Sequence, residues 1–402
     1  MKKFICTSLM ATLCMVAGAC GSQSIPTRVS TVAGIEGNAI PFGQNPYAGA
    51  KFFVNPYYVG LLKQARDQNP ELASQLNKMI EQGGTGVWIV TRGLVPIAKS
   101  MLEEARKQQQ ETGRAVVTTF VVYNLPDRDC AAFASAGELL LDQNGLEKYK
   151  REFIDPLAEI FQSYPDLRIS VVLEPDSLPN LVTNSGTRRC NERVFQAYRD
   201  GVIYALQKLA LSNVSTYLDV GHSGWLGWDN NRRSIAKIFK EVLTQAGGTH
   251  LIRGFATNVS NYSPLVEPDK SIANQSGPYF NWNPAMDELT YVSLLRRDFE
   301  AEGMSNKAFI IDTGRNGNPR SREVWGNWCN IKNARLGTAP TVSPAEGIDA
   351  YVWIKPPGES DGSAQVESPT QPRDPSCASA DSMPDAPLAG EWFREHALQL
   401  LK

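Results

Sequence analysis

Histidine is nearly absent. The 402 residues hold three, His222, His250 and His396, no two at metal-ligand spacing, which argues against a histidine-based zinc centre. The seven cysteines contain no C-x-x-C pair, so disulfides are expected before metal or dithiol redox roles. A G-x-S-x-G elbow is missing, which counts against a serine hydrolase of the α/β type. Neither a G-x-G-x-x-G nor a Walker sequence follows an apolar run, and the phosphate loop of an open nucleotide-binding sheet is thereby absent. An excess of charge of one sign is lacking too. With a net charge of −2 and a pI near 6.1 there is no basic field, and nucleic acid is not an expected partner. No cofactor and no metal is called for.

Beyond the first twenty residues no run is long and apolar enough for a transmembrane helix. There is also no Pro/Thr/Ser-rich linker and no cysteine-dense binding module. The first twenty do have a pattern. Lys2 and Lys3 precede the apolar "FICTSLMATLCMVAG", which ends in Ala17-Gly18-Ala19 before Cys20. A charged start, a short apolar stretch and small residues make residues 1–19 an expected export signal. The mature chain is then expected to be secreted, in an oxidising environment. Cys20 directly after the cleavage point resembles a bacterial lipoprotein signal, whose cysteine carries the lipid. Ala17 stands where such signals usually have a larger aliphatic, and plain secretion is the alternative to envelope attachment. Of the cysteines left, Cys130, Cys190, Cys329 and Cys377 can pair and strand Cys20. Residues 20–44, rich in Gly, Ser and Pro, read as a short tether.

From there the sequence keeps a regular beat. Seven apolar runs rich in β-branched residues read as strands: 87–91, 116–123, 169–173, 214–219, 251–256, 308–312 and 350–354. Helical stretches at 61–80, 97–112, 190–211 and 285–302 fall between them. Nearly continuous apolar strands alternating with helices predict an α/β fold with a parallel sheet covered on both faces. Almost every strand runs into a polar or aromatic cluster at its C-terminal end, as in "YNLPDRDC", "LEPDSLPN", "LDVGHSGWLGW" and "WIKPPGESDG". Chemistry gathered at many strand ends is the habit of a (β/α) barrel, here with seven strands rather than eight.

Carboxylate is the abundant reactive group at those ends: Asp127, Asp129, Glu174, Asp176, Asp219, Asp312, Glu359 and Asp361. One such residue more often caps a helix or pairs with an arginine than does chemistry. Six clusters in succession, with 8 Trp and 13 Tyr available to lie against sugar rings, point to glycoside hydrolysis.

Five motifs carry a specific resemblance: "VVYNLPDRDCAA" at 121–132, "VVLEPDSLPNLVTN" at 171–184, "YLDVGHSGWLGW" at 217–228, "GFATNVSNY" at 254–262 and "YVWIKPPGESDG" at 351–362. In that order they resemble glycoside hydrolase family 6, the inverting cellobiohydrolases and endoglucanases that cleave β-1,4-glucan. The resemblance covers roughly residues 45–401 and implies a catalytic domain at 45–402. It implies a distorted, seven-stranded TIM-like barrel whose loops roof the cleft, and a monomer acting on cellulose or soluble β-1,4-glucan.

The family's proton donor falls on Asp176. Asp129 would keep that proton in place and stabilise positive charge on the sugar, with Arg128 balancing the local charge. Ser135 and the loop at Asp361 would hold a water chain. Asp361 is a candidate base, and an ion pair with Lys355 or Arg315 is its alternative role. Tyr123 matches the tyrosine that presses on a distorted sugar; an ordinary core tyrosine is the alternative. Trp225, Trp228 and Trp328 match sugar-stacking tryptophans, and Asp219, His222, Asn261, Lys355 and Glu359 match positions that bond sugar hydroxyls. The resemblance also implies the disulfides Cys130–Cys190 and Cys329–Cys377. Two departures stand out. Phe53 replaces a tryptophan usual in fungal members, giving a smaller stacking surface. Ser360 stands where they often have cysteine, which suggests bacterial kinship. The long stretches at 174–190 and after residue 358 favour a roofed, exo-acting enzyme releasing cellobiose over an endoglucanase.

Overall fold

The structure is a computed structural model that describes residues 43–187, 189–269, 271 and 281–402. The expected signal, Cys20 and all of the tether but its last two residues lie outside the described residues. Among the described residues, no helix is long and apolar enough to cross a membrane.

Among the described residues, nine strands form one sheet: β1 (Lys51–Phe52), β2 (Val87–Ile89), β3 (Val116–Val122), β4 (Arg168–Leu173), β5 (Val214–Asp219), β6 (Gly254–Thr257), β7 (Ala308–Asp312), β8 (Thr341–Ala345) and β9 (Ile348–Val352). All seven expected runs are strands, and all pair in parallel, in the order β2-β3-β4-β5-β6-β7-β9. The sheet curls toward closure. A parallel bridge joins Thr85, before β2, to Trp353, after β9. Here Gly86 passes so near the Ile354 carbonyl that a Cβ would lie 2.3 Å from its oxygen, so only glycine fits.

The two further strands were outside the expected set. β1 is two residues long, beside the start of β3. β8 runs antiparallel to β9 with alternating exposure, and as an edge strand it tolerates Pro344. The expected helix at 61–80 is two helices, Pro56–Gln68 and Ala73–Gln82. Pro70 lacks an amide proton and disfavours helical geometry at Asn69, which ends the first.

Period-two alternation separates two cores. From β3, β4, β5, β7 and β9, Val117, Val121, Val172, Tyr217, Ile310 and Val352 pack inside the curl. Val116, Phe120, Val171 and Phe309 face outward onto helix residues such as Leu102, Phe161, Val202 and Phe239. Both faces are dry, and β3 is buried along its whole length. Tyr47 fills the interior too, its hydroxyl 3.0 Å from Thr119 Oγ1 and 2.7 Å from Ser170 Oγ. With the interior filled, polar side chains collect where the strands end.

Candidate active site

The exits of β3 and β4 share one backbone device. After β3, Asp127 and Asp129 have φ of 50° and 47°; after β4, Glu174 and Asp176 have φ of 48° and 62°. Left-handed backbone at a residue other than glycine costs of order 1–3 kcal/mol and persists only where its surroundings fix it. Those surroundings are visible. The Glu174 carboxylate accepts the amides of Asn124 (3.1 Å) and Leu125 (3.2 Å), lacing the two exits together. The Tyr198 hydroxyl donates to the Asp127 carbonyl at 2.7 Å. Asp127 itself accepts the Leu141 amide at 3.3 Å, a structural use. Cys130 is joined to Cys190, their Cα atoms 5.1 Å apart.

These turns bring Asp176 and Asp129 within electrostatic reach of each other. Desolvation, then the charges of Asp129 and Asp219, push the half-buried Asp176 carboxyl well above its usual range. Burial also raises Asp129, but a hydrogen bond with Ser135 and the cations Arg189 and Arg128 oppose it. The proton of the pair therefore belongs on Asp176. Asp219, matched to sugar bonding, has a structural use as well: buried, it accepts the Asp176 amide at 2.9 Å and the Gly221 amide at 3.3 Å. It braces the turn that carries Asp176.

Tyr123 is buried, and its hydroxyl has no hydrogen-bond partner among the described residues. Burial and the charges of Asp129 and Asp176 raise its pKa well above the ordinary value, so its phenol faces the acid pair. Arg128 stacks on that ring at 4.4 Å. Its guanidinium donates to the carbonyls of Tyr123, Val90, Ser135 and Ala136. Arg128 thus organises the loop as well as lending charge.

For the candidate base, the structure shows the ion pair. Asp361 pairs with Arg315 Nη1 at 2.7 Å and accepts the Tyr262 hydroxyl at 2.6 Å and the Asn330 amide at 2.9 Å. Burial would raise it, but Arg315 and Lys355 outweigh that and hold the carboxyl below its ordinary value. A carboxylate so engaged is a weak proton acceptor, and the ion-pair alternative is the one observed. Phe53 is corrected. It is 1% exposed, packed in the outer core, and offers no stacking face.

Lys355 Nζ lies 3.9 Å from Glu359 Oε2 and 5.3 Å from the centre of the Trp88 ring. His222 Nδ1 is 3.0 Å from Ser263 Oγ; desolvation and Arg322 lower its pKa well below the usual value, so the ring is neutral. Asn261 accepts the Tyr262 amide at 2.8 Å. Trp225, Trp228 and Trp328 are all partly exposed. The Trp225 indole donates to Thr183 Oγ1 at 2.7 Å and the Trp228 indole to the Asn281 carbonyl at 2.9 Å. The second disulfide, Cys329–Cys377, is present as well, with Cα atoms 5.0 Å apart.

Motif reading missed Arg189 and Asp374. Asp374, buried in the segment after β9, accepts the amides of Phe133 (2.8 Å) and Ala134 (3.0 Å) beside Ser135. It also missed Trp88 and Tyr262, though Tyr262 closes the "GFATNVSNY" motif.

Comparison with known proteins agrees with this fold. Residues 47–402 match the sequence model of Glycosyl hydrolases family 6. The chain is 39% identical to Exoglucanase 3 of Agaricus bisporus, covering 88% of this chain and 77% of that protein. It is 37% identical to the putative endoglucanase type B of Fusarium oxysporum, over 89% of this chain and 76% of the relative. The solved catalytic domain of Cellulomonas fimi Cel6B superposes with a TM-score of 0.84 at 35% identity, covering 90% of this chain and 95% of that one. Identity to these fungal and bacterial proteins is similar, so Ser360 alone does not place the chain among the bacterial ones. Its hydroxyl donates to the Pro387 carbonyl at 2.8 Å.

Proposed function

The chain belongs to glycosyl hydrolases family 6, and we propose that it hydrolyses β-1,4-glucosidic bonds of cellulose with inversion, releasing cellobiose from chain ends. The observation that carries this reading is the environment of Asp176: desolvated and beside two other carboxyls, it keeps its proton at a pH where an ordinary aspartate would not. Asp176 gives that proton to the glycosidic oxygen, and the bond from C1 to that oxygen breaks. Asp129 stays ionised and stabilises the positive charge spreading over the ring. Water attacks C1 from the opposite face, and its proton leaves along a chain that Ser135 anchors. Tyr123 presses on the sugar at the cleavage point. Trp225 and Trp228 stack sugars on the product side, Trp328 on the other, and His222, Asn261, Lys355 and Glu359 bond hydroxyls.

The exo mode is supported by the loops. Asp374 ties the segment after β9 to the one after β3, and Asp381 accepts the amides of Glu323 and Val324 and the side chain of Asn327 near Trp328. A roof held at both ends suits threading of a chain end. The endo mode is the second reading, favoured by the name of the Fusarium relative. The test is hydrolysis of cellohexaose and of carboxymethyl cellulose with viscosity followed. Cellobiose as main product with slow viscosity loss is expected; rapid viscosity loss would make the enzyme an endoglucanase. We further propose residues 45–402 as the catalytic domain of a monomeric, exported protein, with a lipid on Cys20 as an added anchor.

A further inference from the structure

We propose that Arg189 is a positioning residue for Asp129, brought to it by the Cys130–Cys190 disulfide. This rests on the reading of Asp129 as the ionised carboxylate that leaves the proton on Asp176.

The guanidinium spans the whole turn that follows Asp129. Nη1 donates to the Ala132 carbonyl at 3.0 Å, Nη2 reaches the Asp129 carbonyl at 3.4 Å, and the group lies 4.4 Å over the Phe133 ring. This side chain is borne by the residue next to the bond that fixes its backbone. Cys190 is crosslinked to Cys130, while its amide donates to Thr187 Oγ1 at 2.9 Å and its carbonyl accepts the Gly186 amide at 3.2 Å. The segment is thus folded back on itself, and the crosslink delivers a cation to a turn about sixty residues earlier in the chain. Asp129 sits in that turn with left-handed backbone, a conformation that needs outside support.

Among the described residues, the groups facing Asp129 are few. Arg189 and Arg128 are its cations, Asp374, Asp176 and Asp219 its like charges, and Ser135, Tyr123 and Tyr198 its neutral neighbours. Arg128 donates to four carbonyls of its own neighbourhood, whereas Arg189 arrives from a separate segment. Arg189 also favours the charged form of Asp129 more than Arg128 does, while it is not among the groups that shift Asp176. Its loss therefore acts on one carboxyl of the pair. Without this cation Asp129 ionises at higher pH, and the acid limb of the rate profile moves up while the basic limb stays.

The experiment is the pH profile of kcat/KM on cellohexaose for wild type, Arg189→Gln and Arg189→Lys, each with both disulfides verified by mass. For Arg189→Gln we expect kcat to fall roughly ten-fold or more, KM to stay within about two-fold, and the acid limb to move to higher pH. Arg189→Lys should restore the acid limb but only part of kcat, because an ammonium lacks the planar fork that reaches two carbonyls. Arg189→Met, which keeps the stem against Phe133, replaces the glutamine variant if that one does not fold. An unmoved acid limb in a folded neutral variant overturns the proposal, whatever happens to kcat. So does failure of both neutral variants to fold, which would make Arg189 a stability residue. A wild-type enzyme inert on cellohexaose would instead refute the glucanase reading beneath it.

Discussion

At the scale of single residues, the carboxylates at the strand ends have different tasks that nothing in their local sequence separates. Asp176 and Asp129 are the pair to which the proposed mechanism assigns the proton and the charge. Asp219 and Glu174 hold backbone amides, and Asp361 is one half of a buried ion pair. For Asp361 this predicts a stability phenotype. Replacing it by asparagine leaves Arg315, 1% exposed at its side chain, without its counter-charge, a change that typically costs about 3–5 kcal/mol. Urea denaturation of Asp361→Asn should show that loss; an unchanged midpoint in a variant that merely loses activity would restore Asp361 as the base. In the sequence, motif order was enough to single out Asp176 and Asp129 as candidates. It could not divide the other acids, because their partners stand far away in the chain: 43 residues for Asp176 and Asp219, 46 for Arg315 and Asp361. Phe53 failed for a similar reason. Substitution by a smaller aromatic reads the same whether the ring faces a cleft or a core.

At the scale of elements, the fold was legible wherever burial on both faces forced a long apolar run. β3, β4, β5 and β7 therefore fell within a residue of their expected bounds. Lys51–Phe52 is too short to leave a pattern, and the solvent-facing "TVSPA" of β8 carries a proline that argues against a strand. The strained turns after β3 and β4 were hidden as well, since positive φ at aspartate and glutamate has no marker like glycine. Glu174, which laces these turns, gives an element-scale prediction. Desolvation moves it from its ordinary 4.5 up to about 7 in the folded protein. Folding then favours its protonated form, so its contribution is full below 4.5 and is lost as pH rises through about 7. The melting temperature of the wild type should fall across that window. Glu174→Gln, which does not titrate, should show a smaller fall; an identical pH dependence in the two proteins would contradict the assignment.

At the scale of the molecule, a filled barrel interior sends the polar side chains to one end, and two disulfides and several buried carboxylates hold the loops around them. Hydrogen bonds such as Phe133 to Asp374 cross 241 residues, a distance over which one sequence carries no readable signal. What the whole arrangement asserts is that one carboxyl is protonated, that its ionised neighbour does not attack the sugar, and that water does. The stereochemistry of the product reads this directly. Proton NMR during the first minutes of cellotetraose hydrolysis should show the α-anomer of cellobiose accumulating ahead of mutarotation. Early β-anomer would mean that a carboxylate attacks C1 to form a covalent intermediate, and the roles of Asp176 as acid and Asp129 as its ionised, non-attacking neighbour would be wrong.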